Sequence, residues 1–94
     1  MIFQLTPRYR KDFKDLTDSE KAAVLEEKDS VHDALSGDVE KYRKHRIKTM
    51  EGWPGIWEGH IKQNIVFTFE KNSKDGETII FFRRIGSHDI YNNP

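Results

Sequence analysis

Histidines and arginines are the residues of this 94-residue sequence that suit chemistry on a phosphate, histidines by proton transfer and arginines by charge stabilisation. His60 stands two residues after Glu58, so on a strand the two side chains would share a face. A histidine beside a carboxylate can be tuned towards pH 7, as proton transfer requires. The alternative is a half-exposed strand histidine paired with Glu58, and the spacing alone leaves both interpretations open.

Arg84 and His88 form a second candidate pair, four residues apart. Gly86-Ser87 between them lets the chain fold back, so we expect both side chains to point into one site. An arginine fork suits a phosphate and its transition-state charge, and a histidine can protonate a leaving oxygen. The alternative is a surface arginine followed by a histidine in a frayed segment.

A basic run contains His45 and five cations within eight positions: Lys41, Arg43, Lys44, Arg46 and Lys48. Such a run could hold a nucleic-acid backbone, although a solvated charged edge is the commoner explanation. Residues 1–40 include six basic and ten acidic residues, whereas residues 41–94 include ten basic and six acidic. The second half of the chain is therefore the half to search for an anionic partner.

The composition excludes several classes of protein. Lys and Arg together number 16, as do Asp and Glu, which excludes a histone-like polycation and an acidic tail protein. The absence of cysteine excludes a disulfide scaffold, a zinc–thiolate site and a cysteine nucleophile. No apolar run reaches the roughly 20 residues that span a bilayer. We expect one cytoplasmic domain over residues 1–94 that uses no metal or other cofactor and enters no membrane.

The helices that would position these residues are predicted in the first half of the chain. Thr6-Pro7 is typical of a helix start, and Thr17 with Glu20 forms a capping-box pattern. Gly37 suits the position just past the end of the second helix. We therefore predict a short first strand followed by an antiparallel helix pair over 7–36.

Beyond the helices the hydrophobic period changes from 3.6 to 2, which predicts strands. The predicted strands are 45–50, 56–61, 65–70 and 78–85, with a polar loop over 71–77 and a helical turn over 88–92. This order predicts an α+β domain in which the N-terminal strand and the helix pair accompany an antiparallel sheet of four to five strands. The helix pair packs on one face of that sheet.

Two stretches carry a resemblance to a known family. The order of elements, the stretch Trp-Glu-Gly-His-Ile (57–61) and the ending Phe-Arg-Arg-Ile-Gly-Ser-His (82–88) resemble the RelE/ParE-superfamily toxins of bacterial type II toxin–antitoxin systems. The likeness is to the YafQ-like branch and covers nearly the whole chain. It implies a RelE-like fold and metal-independent cleavage of mRNA, usually on the ribosome, which inhibits translation. In that reaction the 2′-OH attacks the adjacent phosphate and a 5′-OH leaves.

The resemblance also implies roles for particular residues. The catalytic residues of the branch match His45, His60, Arg84 and His88. The candidate substrate-binding residues are Lys41, Arg43, Lys44, Arg46, Lys48, Lys62, Asn64, Arg83 and Tyr91. Asn64 stands where the branch favours an aspartate, and Tyr91 stands one residue before the usual aromatic.

The partners implied by the resemblance are a cognate antitoxin protein, mRNA and the ribosome, with DNA contacted only indirectly through the antitoxin. The alternative function is that of the ParE-type toxins, which inhibit DNA gyrase by binding it and catalyse no reaction. Such an inhibitor has no evident need for the histidines. A third interpretation is an inactive relative kept as a binding module.

Overall fold

The computed structural model describes all 94 residues and confirms the α+β architecture. The elements are β1 (Ile2–Leu5), α1 (Pro7–Lys14), α2 (Asp18–Leu35), α3 (Val39–Lys44), β2 (Lys48–Thr49), β3 (Trp57–Lys62), β4 (Ile65–Lys74), β5 (Glu77–Gly86) and a 3₁₀ helix (His88–Asn92). No helix combines the length and the apolar character that a membrane span requires.

The five strands form one sheet in the order β1-β5-β4-β3-β2. The neighbours from β2 to β5 pair antiparallel, as predicted. β1 is the exception, because it runs parallel to β5 with Ile2 opposite Ile79 and Leu5 opposite Phe82. A parallel pair requires a long crossover connection, and here all three α-helices and three strands lie between β1 and β5.

Local hydrogen bonds explain where the two longer helices begin and end. The Thr6 hydroxyl accepts a hydrogen bond from the Tyr9 amide at the start of α1. Thr17 and Glu20 form the predicted capping box, in which each side chain accepts from the backbone amide of the other residue. α2 ends before Gly37, whose φ of 121° lies in the region that favours glycine. The helix pair therefore occupies the predicted span.

The alternating apolar residues of β4 and β5 build the core beneath the helices. Phe67, Phe69 and Phe82 are buried, with ring centroids 5.8 to 6.3 Å apart. The helices contribute Tyr9, Val24, Val31 and Leu35 to the same cluster. This packing confirms the predicted strand over 65–70 and the packing of the helix pair on one face of the sheet.

The segment before β2 differs from the prediction. Residues 39–44 form α3, because the Asp38 side chain caps the amide of Lys41. Strand pairing in the predicted strand 45–50 is confined to two residues, since Arg46 has a φ of 51° that turns the chain away from an extended course.

The predicted polar loop over 71–77 is also different in the structure. β4 and β5 continue through it as a paired hairpin whose register holds from Glu70 to Lys74. Asp75 and Gly76 form the turn, with φ values of 53° and 78°. Two consecutive positive φ values match the twist of a two-residue hairpin, so polar strands can meet in this short connection.

Gly59 provides a test of the core. A Cβ at this position would lie within 3.0 Å of three carbon atoms of the buried Phe67 ring. We expect Gly59→Ala to lower the free energy of unfolding by about 1–3 kcal/mol, because overpacking displaces the aromatic cluster. Urea denaturation measures this change. Phe67→Leu in the same chain should relieve the clash, so strictly additive effects of the two substitutions would contradict the prediction.

Candidate active site

Strand alternation places Glu58 and His60 on the side of the sheet opposite to the helices. Gly59 between them faces the core side and pairs with Phe67, so its two neighbours face the other way. The 3₁₀ helix lies on this other side, where buried Ile90 closely approaches Gly86. We call this side the second face of the sheet.

Three predicted site residues meet on the second face. The ring centroids of His60 and His88 are 5.8 Å apart, and Tyr91 contacts His88 edge to face at 5.5 Å. A 3₁₀ helix has three residues per turn, so His88 and Tyr91 project from the same side of it. The structure therefore brings His60, His88 and Tyr91 into one cluster, which we call the histidine cluster.

The electrostatic surroundings favour the neutral form of His60. Burial lowers the pKa of His60, and the positive charges of Arg46, His88 and Lys48 lower it further. The Nδ1 atom of His60 is buried and has no hydrogen-bond partner, so nothing stabilises a proton on it. His60 is therefore suited to accept a proton from a bound group at neutral pH.

Arg46 is the arginine whose charge acts on the histidine cluster. Lys48 lies opposite Glu58 in the β2–β3 ladder, and the His60 amide donates to the carbonyl of His45, the residue that precedes Arg46. The Arg46 side chain is exposed and forms no ion pair, unlike that of Lys48, whose Nζ lies 3.8 Å from a Glu58 oxygen. A free guanidinium is thus available next to His60.

Glu58 is the functional candidate that sequence reasoning treated only as a partner for His60. It is 8% exposed, although a carboxylate rarely occupies a buried position. Burial raises the pKa of Tyr91, and the Glu58 carboxylate raises it further. The spacing from His60 was the one sequence signal for Glu58, because its burial depends on the 3₁₀ helix.

His45 does not join the histidine cluster. Its ring is fully buried on the helix side, where Nδ1 lies 2.7 Å from the His60 carbonyl oxygen and Nε2 lies 2.8 Å from the Ser30 hydroxyl. A carbonyl oxygen can only accept, so Nδ1 carries a proton and donates it to this bond. With both nitrogens engaged, His45 fixes the backbone of His60 from the helix side, and its catalytic role stays a prediction.

Arg84 does not join the cluster either. Its Nε and Nη2 donate to the Asp12 carboxylate at 2.6 and 3.2 Å, and its Nη1 donates to the Asn93 carbonyl at 2.8 Å. β4 separates β5 from β3, so Arg84 is two strands, roughly 10 Å, from the strand of His60. Asp12 of α1 thus holds the Arg84 guanidinium outside the histidine cluster, and the catalytic role of Arg84 stays a prediction.

Acidic residues neutralise most of the basic run. The ion pairs are Lys41–Asp33, Lys44–Glu27 and Lys48–Glu58. Arg43 and Arg46 are exposed and have no acidic partner. Of the other predicted contacts, Lys62 lies 3.9 Å from Glu26, Arg83 lies 3.1 Å from Glu70, and Asn64 is exposed in the hairpin turn between β3 and β4.

A separate groove of about 500 Å³ opens on the helix side, lined by α1, α2 and the core. Most of its lining is apolar, and Leu25 in it is 64% exposed. Arg10, Lys14 and Lys28 bring positive charge to it, and His32 stacks on a phenylalanine ring beside it at 4.0 Å. An apolar groove with a basic rim suits an acidic amphipathic segment.

Helices packed on one face of a mostly antiparallel five-stranded sheet are the architecture of the RelE-like toxins. The residues form no group of three or more His, Asp or Glu that could hold a metal ion. The family model for the bacterial toxin of type II toxin–antitoxin systems, YafQ, matches residues 1–92. The chain belongs to this YafQ family of toxins. No curated protein matches it in sequence.

Solved structures of toxins share this fold. YafQ from E. coli strain BL21(DE3) has a TM-score of 0.69 and 12% identity, covering 95% of this chain and 94% of that chain. In the E. coli DinJ-YafQ complex the matching chain has a TM-score of 0.59 and 16% identity, with coverage of 93% and 92%. In the toxin–antitoxin complex RelBE2 from Mycobacterium tuberculosis the values are 0.61 and 17%, with coverage of 93% and 96%. These matches confirm the RelE-like fold, and the family match does not favour the ParE-type alternative.

The histidines make stability depend on pH. Burial is the main cause that lowers the pKa of His60 and of His32. The unfolded chain therefore binds more protons than the folded chain as the pH falls through about 6.5, so the free energy of unfolding should decrease from pH 7 to pH 5. Urea denaturation at several pH values measures this slope. His60→Asn should flatten it, and an unchanged slope in that variant would contradict the prediction.

Proposed function

We propose that this toxin is a metal-independent endoribonuclease that cleaves mRNA on the ribosome and so inhibits translation. The observation that carries the proposal is the pair of imidazoles of His60 and His88, 5.8 Å apart on the second face, with the pKa of His60 lowered by burial and nearby cations. Two imidazoles at this separation can act on opposite sides of one phosphate, one as base and one as acid. Membership of the YafQ family supports the same chemistry.

The proposed reaction uses three side chains and balances without a cofactor. His60 accepts the proton of the 2′-OH, and the 2′-oxygen forms a bond to the adjacent phosphorus. The bond from phosphorus to the 5′-oxygen breaks, and His88 donates a proton to that oxygen. The products are a 2′,3′-cyclic phosphate and a 5′-OH. The Arg46 guanidinium stabilises the charge that develops on the phosphorane oxygens.

Substitution of the two histidines tests this assignment. We expect His60→Gln and His88→Gln each to lower the rate of single-turnover cleavage of ribosome-bound message by about 10²–10⁴, the usual contribution of acid–base catalysis. His32→Gln, outside the cluster, is the matched control and should cleave at the parent rate. Circular dichroism checks folding. Intact transcripts together with blocked DNA supercoiling in cells expressing the parent would point to gyrase instead.

Arg46 is the proposed stabilising cation, and Arg43 provides the matched control for its substitution. Arg46→Ala should lower the cleavage rate by about 10²-fold, as removal of a transition-state donor generally does. It should also move the acid limb of the pH–rate profile to higher pH, because the Arg46 charge lowers the pKa of His60. Arg43→Ala removes another exposed cation of the same run and should leave the pH–rate profile in place, because Arg43 does not act on the pKa of His60. A pH profile that stays in place in Arg46→Ala would remove Arg46 from the site.

We also propose that the groove between α1 and α2 binds a cognate antitoxin. The DinJ-YafQ and RelBE2 structures are complexes of a toxin with its antitoxin. Here the apolar lining and the three cations Arg10, Lys14 and Lys28 complement an acidic segment with one apolar face.

A charge placed in the groove tests the proposed antitoxin site. Leu25→Glu should weaken the antitoxin complex by about 10-fold or more, because it puts a carboxylate where an apolar side chain of the partner is desolvated. Val39→Glu on α3 is the matched control, since Val39 is 61% exposed and lies outside the groove. Isothermal titration with the protein encoded next to the toxin measures both. Equal affinities in the two variants would place the antitoxin elsewhere.

A further inference from the structure

Glu58 lies buried at the centre of the second face without an evident structural reason. The ion pair that the structure gives it is the 3.8 Å contact with the Nζ of Lys48, a side chain that is 70% exposed. An exposed lysine at this distance compensates a buried carboxylate only weakly. The carboxylate of Glu58 therefore has capacity to accept a further hydrogen bond from a buried donor.

Tyr91 supplies a donor of that kind. Its hydroxyl is buried and meets no acceptor at hydrogen-bond geometry in this conformation. A buried hydroxyl without a partner is unfavourable. Glu58 pairs with Thr68 across the β3–β4 ladder, and the Thr68 hydroxyl donates to the Pro94 carbonyl, so the segment that follows Tyr91 lies beside Glu58. The Glu58 carboxylate also raises the pKa of Tyr91, after burial. Tyr91 thus has an unused donor and Glu58 has an unused acceptor on the same face of the sheet.

The position of Tyr91 determines how His88 is presented. The two residues are one 3₁₀ turn apart, and the His88 ring meets the Tyr91 ring at an interplanar angle of 84°. His88 itself is exposed, and none of its ring nitrogens forms a hydrogen bond that would fix it. The contact with Tyr91 is therefore the constraint that holds the His88 ring towards His60.

We propose that Glu58 is a positioning residue, which receives the Tyr91 hydroxyl and thereby fixes the 3₁₀ helix so that His88 faces His60. The expected effect on the cleavage rate rests on the proposed endoribonuclease function. The expected effect on the orientation of His88 does not. Glu58 acts through Tyr91 and does not touch the RNA.

The experiment compares Tyr91→Phe, Glu58→Ala and their double variant in single-turnover cleavage of ribosome-bound message. Each single variant should lower the maximal rate by roughly 10-fold to 100-fold through misplacement of His88, with the half-saturating ribosome concentration unchanged. The double variant should be no slower than the slower single variant, because both substitutions break one contact. Glu58→Gln keeps an acceptor oxygen and should restore most of the rate. Tyr42→Phe and Glu70→Gln are the matched controls and should behave like the parent.

Two kinetic results would overturn the proposal. If Glu58→Gln is as slow as Glu58→Ala while Tyr91→Phe cleaves at the parent rate, Glu58 is the base itself. If the losses in the double variant add in full, the two residues act independently.

An NMR measurement keeps the test independent of activity. The His88 Hε1 resonance should shift in Tyr91→Phe and Glu58→Ala and return towards the parent position in Glu58→Gln. A His88 resonance that stays unchanged in all three variants would overturn the proposal, whether or not the parent cleaves RNA. A parent without cleavage activity but with the expected His88 shifts would instead refute the endoribonuclease proposal and support the positioning contact.

Discussion

Two hydrogen bonds between His45 and His60 connect the helix side of the sheet to the strand from which His60 projects on the second face. The His60 amide donates to the His45 carbonyl, and the His45 ring donates back to the His60 carbonyl, both at 2.7 Å. The other nitrogen of the same ring contacts Ser30 of α2. One buried imidazole thus joins α2, the segment before β2 and the end of β3. The histidine cluster depends on this junction, because it fixes the backbone from which His60 projects and the point at which Arg46 turns to the second face.

The arrangement of charge explains how a chain with no net charge can present a cationic site. Acidic side chains of α2 take up Lys41 and Lys44 on the helix side, and Asp12 of α1 takes up Arg84 at the edge of the sheet. Arg46 is left unpaired beside a histidine whose proton affinity it lowers. The histidine cluster therefore has one exposed and unpaired guanidinium beside it, although the chain carries no net charge.

Much of the fold is readable from the sequence because the signals are local. Thr17 and Glu20 cap α2 through atoms three residues apart, and the alternation over 65–70 defines a strand by itself. The secondary-structure predictions that the structure corrects lie in segments whose local sequence patterns are weak or conflicting. Asp38 caps a short helix in a stretch whose sequence is highly charged and has no clear hydrophobic period. The polar hairpin beyond Glu70 is held by pairing between β4 and β5, and the sequence of one strand alone does not indicate this pairing.

The sequence by itself determined the order of the elements, the family motifs and the presence of His60 and His88 at the ends of their segments. Tertiary structure decided which residues share the site. Hydrogen bonds to Ser30 and His60 hold the His45 ring in the helix layer, and the chain turns at its neighbour Arg46, whose φ is 51°. Asp12, 72 positions from Arg84 in sequence, pairs with the Arg84 guanidinium outside the histidine cluster. The physical reason is that spacing fixes the face a side chain takes within one element, whereas its partner depends on how separate elements pack, and that packing is a property of the whole chain.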